Sequence, residues 1–205
     1  MNPKRQNTEN KSPQGIIGEV IRGSTSQFET QCYELYKMPR LGTLVVSDDE
    51  YPIFGVVSHS VTESLDPTRT PRPRGPGAEN VKSIYQENPQ LQNLLASKFI
   101  SIIVGYIEND AILRKLSPVP PRILSLTRIC TESEVSEFSS NFDFIARLLN
   151  STIGSPDDVL ASFLNIAAQL RPNPEQYFVD AGKEVATLLP GQMRRVNLIL
   201  RNSSI

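Results

Sequence analysis

The run of residues 15–61 constrains the fold most, because it contains four consecutive segments with the pattern of short β-strands. The segments are GIIGEVIRG, QFETQCYEL, GTLVVSD and YPIFGVVSHSV, each rich in β-branched or aromatic residues and bounded by turn residues. Glycines lie within or beside them, at Gly15, Gly18, Gly23, Gly42 and Gly55. A tightly curved sheet needs residues without a Cβ at its bends and bulges. The run therefore predicts a small, Greek-key-like antiparallel β-barrel.

The segment after this run, residues 62–82, is predicted to be a long exposed loop of the barrel domain. Its prolines and glycines exclude regular structure over most of its length. It carries Arg69, Arg72 and Arg74, and the neighbouring prolines would hold these guanidinium groups in place at little entropic cost. A short helix is expected next, with Asn88 as its N-cap and a proline in its first position.

A proline-rich linker is predicted to end the barrel. The β-branched run at residues 99–107 predicts a strand that is covered on both faces, and Ala111-Ile112-Leu113 is a candidate for one further strand pairing. The sequence SPVPPRI follows it, and its prolines cannot join a ladder except at the edge of a sheet. We therefore expect a barrel domain over residues 14–116 and a linker over residues 117–130.

Beyond the linker the apolar residues recur at helical spacing. Thr131 and Glu134 form a capping-box pattern, and one apolar stripe follows over residues 135–149. Further helices are expected to begin near Ser155 and Pro174, and a C-terminal apolar segment carries basic residues on its flank. Residues 131–205 are therefore predicted to be an all-α domain. The expected fold class is α+β, a β-barrel followed by helices.

Composition and charge narrow the functional class. The chain has 21 basic and 22 acidic residues, and a net charge of −1 gives no global attraction to nucleic acid or anionic lipid. Residues 1–13 are polar, predict a disordered tail and lack the apolar core of a secretory signal. The longest apolar stretch, residues 99–107, is too short to span a bilayer as a helix. We expect a cytoplasmic protein without membrane insertion, in which Cys32 and Cys130 are free thiols.

A set of glycines and valines in this order carries a resemblance to a known domain. The residues are Gly18-Glu19-Val20, Phe28, Gly42, Gly55-Val56-Val57 and Gly105. Together with the proline linker and the helix start at Thr131, the pattern over residues 15–150 resembles the HAS-barrel. This barrel precedes the ATPase domain in HerA-type DNA translocases and in the catalytic subunits of rotary ATP synthases. The resemblance implies a domain that contacts neighbouring subunits or a partner protein at the rim of an assembly.

The chain departs from that family at the nucleotide site. A phosphate-binding loop needs the pattern GxxxxGK[ST], in which backbone N–H groups and a lysine hold the phosphates. The nearest string, residues 75–83, has Lys82-Ser83 but no glycine before the lysine, and Pro76 lacks an amide donor. ATP hydrolysis therefore does not carry over, and no cofactor is expected.

No catalytic or metal-binding constellation is expected either. His59 is the only histidine, and it lies in a predicted strand where its neighbours Ser58 and Ser60 point to the opposite face. The acidic clusters at residues 48–50 and 157–158 lack the alternating spacing of a calcium loop. A solvated turn and a helix start explain these two clusters.

The sequence favours a non-enzymatic adaptor or assembly protein that binds a protein partner or forms a homo-oligomer. The expected partner-binding residues are Arg69, Arg72 and Arg74 in the loop and Arg194 and Arg195 near the C-terminus. The alternative is a nucleic-acid-associated factor that uses the arginine loop on phosphates. A protein partner is favoured, because Glu63 and Asp66 dilute the positive charge and no aromatic residue is interleaved for base stacking.

Overall fold

A computed structural model describes residues 15–66, 68 and 70–203, so the predicted tail at residues 1–13 lies outside the described residues. The strands are β1 Ile16–Gly23, β2 Gln27–Cys32, β3 Leu44–Asp48, β4 Ile53–Ser64, β5 Leu95–Glu108, β6 Ala111–Leu113 and β7 Leu126–Ile129. The α-helices are α1 Val81–Glu87, α2 Glu132–Phe138, α3 Phe144–Leu149, α4 Pro156–Gln169, α5 Pro174–Leu188 and α6 Met193–Ser203. A short 3-10 helix covers Pro89–Asn93. The predicted α+β class is confirmed.

All strand pairs are antiparallel and form one barrel-like sheet. The strand order is β2-β1-β7-β3-β4-β5-β6, and β2 also pairs with β5. Strands β3 to β6 follow one another as hairpins, whereas β7 returns to lie between β1 and β3. The Greek-key connectivity as such stays a prediction.

The inner face of the sheet encloses a compact apolar cluster. Phe28 and Cys32 point inward from β2 and settle which face of that strand is buried. Phe99 and Ile103 reach the same cluster from β5. A Cβ at Gly55 would lie 2.7 Å from Cε1 of Phe28, so glycine lets the phenyl ring pack directly on the backbone of β4.

The helices pack on the outer face of β3, β4 and β5 and share a second cluster with it. Phe54 of β4 contacts Phe138 of α2, with ring centroids 5.1 Å apart. Phe138 also stands within 6.4 Å of the rings of Phe144 and Phe163, from α3 and α4. This aromatic centre joins the sheet to three helices.

The predicted linker contains a strand that the sequence did not reveal. Residues 126–129 form β7, which pairs with β1 on one side and β3 on the other. The strand has four residues and follows a run of prolines, so its sequence is too short to show the alternation that identifies a strand. The boundary between a barrel domain at residues 14–116 and a helical domain at residues 131–205 stays a prediction.

The apolar stripe over residues 135–149 predicted one helix, and this prediction is wrong, because α2 and α3 are separate helices. Arg114 ends α2: its Nε donates to the carbonyl of Phe138 at 2.7 Å, and its Nη2 donates to that of Glu137 at 2.8 Å. Arg171 donates to the carbonyl of Ser136 at 2.8 Å. These donors satisfy carbonyls that a continuing helix would have used. The short helix expected at residue 88 is the 3-10 helix.

Candidate protein-interaction surface

Between β4 and β5 the chain leaves the sheet at Leu65 and returns at Leu94. The N–H of Leu65 donates to the carbonyl of Leu94 at 2.9 Å, and this hydrogen bond ends the ladder between β4 and β5. We call residues 65–94 the excursion. None of its described residues is buried. No described residue of the excursion therefore belongs to either apolar cluster.

Local hydrogen bonds nevertheless give the excursion a definite shape. Asn80 and Ser83 form a reciprocal capping box at the start of α1. Nη1 of Arg74 donates to Oδ1 of Asn88 at 2.9 Å, which ties the arginine loop to the junction between α1 and the 3-10 helix. The loop also passes close to Ile84, since a Cβ at Gly75 would lie 3.4 Å from its Cδ1.

One side of the 3-10 helix borders a cleft of about 590 Å³. Its apolar lining consists of Leu65, Leu91, Leu94, Leu95 and Pro71, with Arg72 and Arg74 among its polar residues. We call it the leucine cleft. Leu65 is 48% exposed and Leu94 is 46% exposed, so these apolar side chains face solvent rather than the protein interior. Exposed apolar side chains at a concave surface are typical of a contact site.

The other side of the 3-10 helix borders a second cleft, of about 600 Å³. It is lined by Tyr33 and Tyr36 from the segment after β2 and by Val81 and Tyr85 from α1. We call it the tyrosine cleft. Tyr36 is 55% exposed and Val81 is 68% exposed. The two sides of the cleft meet through a hydrogen bond between the hydroxyls of Tyr36 and Tyr85, whose rings lie edge to face at 6.0 Å.

One hydrogen bond holds each of Tyr33 and Tyr36 against the sheet. Tyr36 has a φ of 65°, and its N–H donates to Oγ of Ser97 in β5 at 2.8 Å. The Tyr33 hydroxyl donates to Glu19 in β1 at 2.7 Å. The hydrogen bond with Tyr36, together with partial burial, raises the pKa of Tyr85 to about 12.

The predicted arginine loop lies at the leucine cleft. Arg72 is exposed, and it makes no hydrogen bond or ion pair with another residue in the described part of the chain. Arg74 is held by Asn88, as described above. Arg69 lies outside the described residues.

The two C-terminal arginines have different surroundings. Nε of Arg195 in α6 donates to both carboxylate oxygens of Asp157 in α4, at 3.0 and 2.9 Å, and its Nη2 donates to Oδ1 at 2.7 Å. These hydrogen bonds raise the pKa of Arg195 and join two helices. Arg194, its neighbour, is exposed. A structural role therefore accounts for Arg195, whereas Arg194 is a surface cation.

The remaining candidate groups have structural explanations. His59 lies exposed on β4, and Arg122 donates to Glu50 of the acidic turn at 2.6 Å. Burial raises the pKa of the Cys32 thiol to about 11 and also raises that of Cys130; both thiols are free. Within residues 15–66, 68 and 70–203, no three His, Cys, Asp or Glu side chains form a potential metal site.

Comparisons with known proteins give no family for this chain. No protein-family model matches the sequence, and a search among curated proteins finds no significant match. None of the described helices combines the length and apolar character needed to cross a membrane.

Sequence reasoning located the arginine loop but missed the tyrosine cleft. Tyr36 and Tyr85 are 49 positions apart, so no local pattern joins them. Val81 and Tyr85 are spaced four apart in a short polar segment, which is the one signal that a helix with an apolar stripe was present.

Proposed function

We propose that the protein is a non-enzymatic adaptor that binds a protein partner through the two clefts of the excursion. The observation that carries the proposal is the concentration of exposed leucine and tyrosine side chains around a segment in which no described residue is buried. Folding of the sheet does not require these side chains, and exposed apolar surface of this kind marks interaction sites.

The chemistry of the clefts suits a protein partner. Tyrosine and arginine are enriched at protein interfaces, because each combines a large contact area with a hydrogen-bonding end. Here Tyr33, Tyr36 and Tyr85 lie on one side of the 3-10 helix, and Arg72 and Arg74 lie on the other. A second copy of the chain is one partner that this surface would suit, and it is included in the test below.

The proposal extends to the family and the compartment. We propose that the chain carries a HAS-like barrel, supported by Gly18-Glu19-Val20 in β1 and Gly55-Val56-Val57 in β4 of a barrel-like sheet. A cytoplasmic location is supported by two free thiols, which persist in a reducing compartment.

The test removes the apolar character of both clefts without touching the sheet. The variant combines Val81→Asp with Leu94→Asp, and the control combines Met193→Asp with Leu198→Asp on α6, which are 58% and 52% exposed. Each is compared with the unchanged chain by quantitative cross-linking and capture from the native source, and by size-exclusion chromatography with light scattering. The cleft variant should lose its principal partner, or its self-association, by about tenfold or more, while the control retains it.

Equal recovery with both variants, or a monomer that captures nothing reproducibly, would contradict the adaptor function. Circular dichroism and thermal melts of both variants establish that each remains folded, because none of the four substituted side chains is buried.

A nucleic-acid role is the second candidate, and the exposed, unpaired Arg72 beside Arg74 is the observation that favours it. It predicts gel retardation of DNA or RNA that weakens with salt. Changing Arg69, Arg72 and Arg74 to Ala should abolish the retardation, whereas Arg194→Ala should leave it nearly unchanged. Absence of any retardation at low salt would eliminate this candidate.

A further inference from the structure

Strand β4 is much longer than its neighbour β3. The two pair only from Ile53 to Val56, and the hydrogen bonds of Val57 with Gly42 and Thr43 end the contact. From Ser58 to Ser64, β4 continues with β5 on one side. Gly154 lies against the carbonyl of Ser58, so the sheet edge on the other side of this half of β4 begins beyond Ser58.

The register shows which backbone groups face that edge. Leu65 is hydrogen-bonded to Leu94, and the ladder from there to His59 and Ile100 is regular. Hydrogen bonding alternates along an antiparallel pair, so Ser60, Thr62 and Ser64 occupy the non-hydrogen-bonded positions. Their N–H and carbonyl groups point away from β5. None of the three has a backbone partner on the outer side among the described residues.

From Ser60 to Ser64 this edge carries few of the usual features that prevent strand pairing. Edge strands are commonly protected by proline, by lysine or by a covering segment. Residues 58–64, SHSVTES, contain no proline or lysine, and the single acidic residue, Glu63, is paired with Lys98 at 2.8 Å. The bulge between Val57 and His59 separates this half from the paired half of β4.

The edge leads into the leucine cleft. Ser64 is the last residue of β4 and also lines that cleft, together with Arg72 and Arg74. The carboxylate of Asp66 also lines it and accepts hydrogen bonds from the N–H and hydroxyl of Thr68, at 3.0 and 2.6 Å. The described lining thus has the guanidinium groups of Arg72 and Arg74 and the one carboxylate of Asp66, so the end of the edge next to the cleft is positively charged.

We propose that β4 binds an extended acidic peptide segment of the partner as an added strand along Ser60–Ser64. The peptide backbone pairs with the free N–H and carbonyl groups, and its acidic end meets Arg72 and Arg74 in the leucine cleft. This inference rests on the proposed adaptor function and assigns the chemistry of its partner.

The test uses peptides selected from a phage-displayed random library against the full chain. Selected peptides should carry acidic residues at one end, and amide hydrogen exchange should show protection of Ser60 and Thr62 on binding. Thr62→Pro removes an edge N–H without breaking a bond to β5, whereas Thr62→Val keeps that N–H. Both variants lose the hydrogen bond between the hydroxyls of Thr62 and Ser97, so they form a matched pair.

Peptide affinity should fall about tenfold in Thr62→Pro relative to Thr62→Val, because the backbone hydrogen bond from this N–H to the peptide is lost. Arg72→Glu should weaken the acidic peptides by a similar factor, and Arg194→Glu should leave them unchanged. The proposal would be overturned by a selection that yields no binders, by peptides without acidic residues, or by binding that leaves Ser60 and Thr62 unprotected.

Failure of this inference can be told apart from failure of the adaptor function. If native partner capture depends on Val81 and Leu94 but is the same in Thr62→Pro and Thr62→Val, the adaptor function holds and strand addition is wrong. If capture is insensitive to the cleft substitutions as well, the adaptor function itself fails.

Discussion

The helix-covered sheet and the excursion show opposite uses of apolar side chains. In the sheet and helices, Phe54, Phe138 and Phe163 are all buried in one shared cluster. In the excursion, Leu65, Leu94 and Val81 face solvent, and no described residue is buried. Because burial of such side chains is the main favourable term in folding, the stability of the protein comes from the first region. The second region contributes little to this stability.

The arginines repeat this contrast. Arg114, Arg128 and Arg171 each hold α2 in place, through carbonyls at its C-terminal end or through Glu134 in its first turn. Arg72 in the excursion has no such partner among the described residues, and Arg74 is bound only by a neutral amide. Cations that the fold does not use remain available for an acidic ligand.

The largest expected effect comes from the aromatic centre. Phe138→Ala should destabilise the protein by about 3–5 kcal/mol, because it leaves a cavity among rings of the sheet and two further helices. Tyr85→Ala in the excursion should cost less than about 1 kcal/mol, since that ring is not buried. Urea unfolding measures both. Equal losses would show that the two regions do not differ as described.

A pair of glycines separates strain from packing. Gly42 has a φ of 78°, and a Cβ there would lie 2.6 Å from the backbone nitrogen of Phe163 in α4. Gly77 in the excursion has a φ of 89° with nothing within 4 Å. Gly42→Ala should cost about 2–4 kcal/mol, and Gly77→Ala, which has strain without a steric contact, about 1–2 kcal/mol. Thermal or urea unfolding measures both losses of stability. Equal losses would show that the close contact between Gly42 and α4 does not contribute to the cost of the substitution.

The ion pair at α2 predicts a pH dependence. Hydrogen bonds from Arg128 lower the pKa of Glu134 from 4.5 to about 2. The Glu134 carboxyl therefore binds a proton less tightly in the folded state than in the unfolded chain. The contribution of the ion pair to stability is present above pH 4.5 and is lost as the pH falls towards 2.

Glu134→Gln should cost about 1–2 kcal/mol at neutral pH and reduce the loss of stability in this acid range. Urea unfolding at several pH values measures both effects. The exposed Glu132→Gln in the same helical turn is the control, with an expected change below about 0.5 kcal/mol. If Glu134→Gln loses as much stability as the wild type when the pH falls through this acid range, the proposed role of the ion pair is contradicted.

The sequence was informative where patterns are local. Segments rich in β-branched and aromatic residues predicted β1 to β5, and helical spacing predicted α4 and α5. Strand β7 was missed, because four residues gain strand character only from neighbours on both sides. The break between α2 and α3 depends on Arg114 and Arg171, which lie outside the stripe that predicted one helix. Likewise, the partner of Arg195 lies 38 positions away in α4.

The smallest expected change in stability gives the most direct test of the account. Leu65 and Leu94 already form a hydrogen-bonded closing pair, so residues 66–93 can be replaced by Asn-Gly, the preferred two-residue hairpin turn. Urea unfolding should give a stability within about 1 kcal/mol of the intact chain, or slightly higher, because a shorter loop costs less entropy. Partner capture should be lost. A replacement that unfolds the sheet, or one that keeps full partner binding, would contradict the division between a folding region and a binding region.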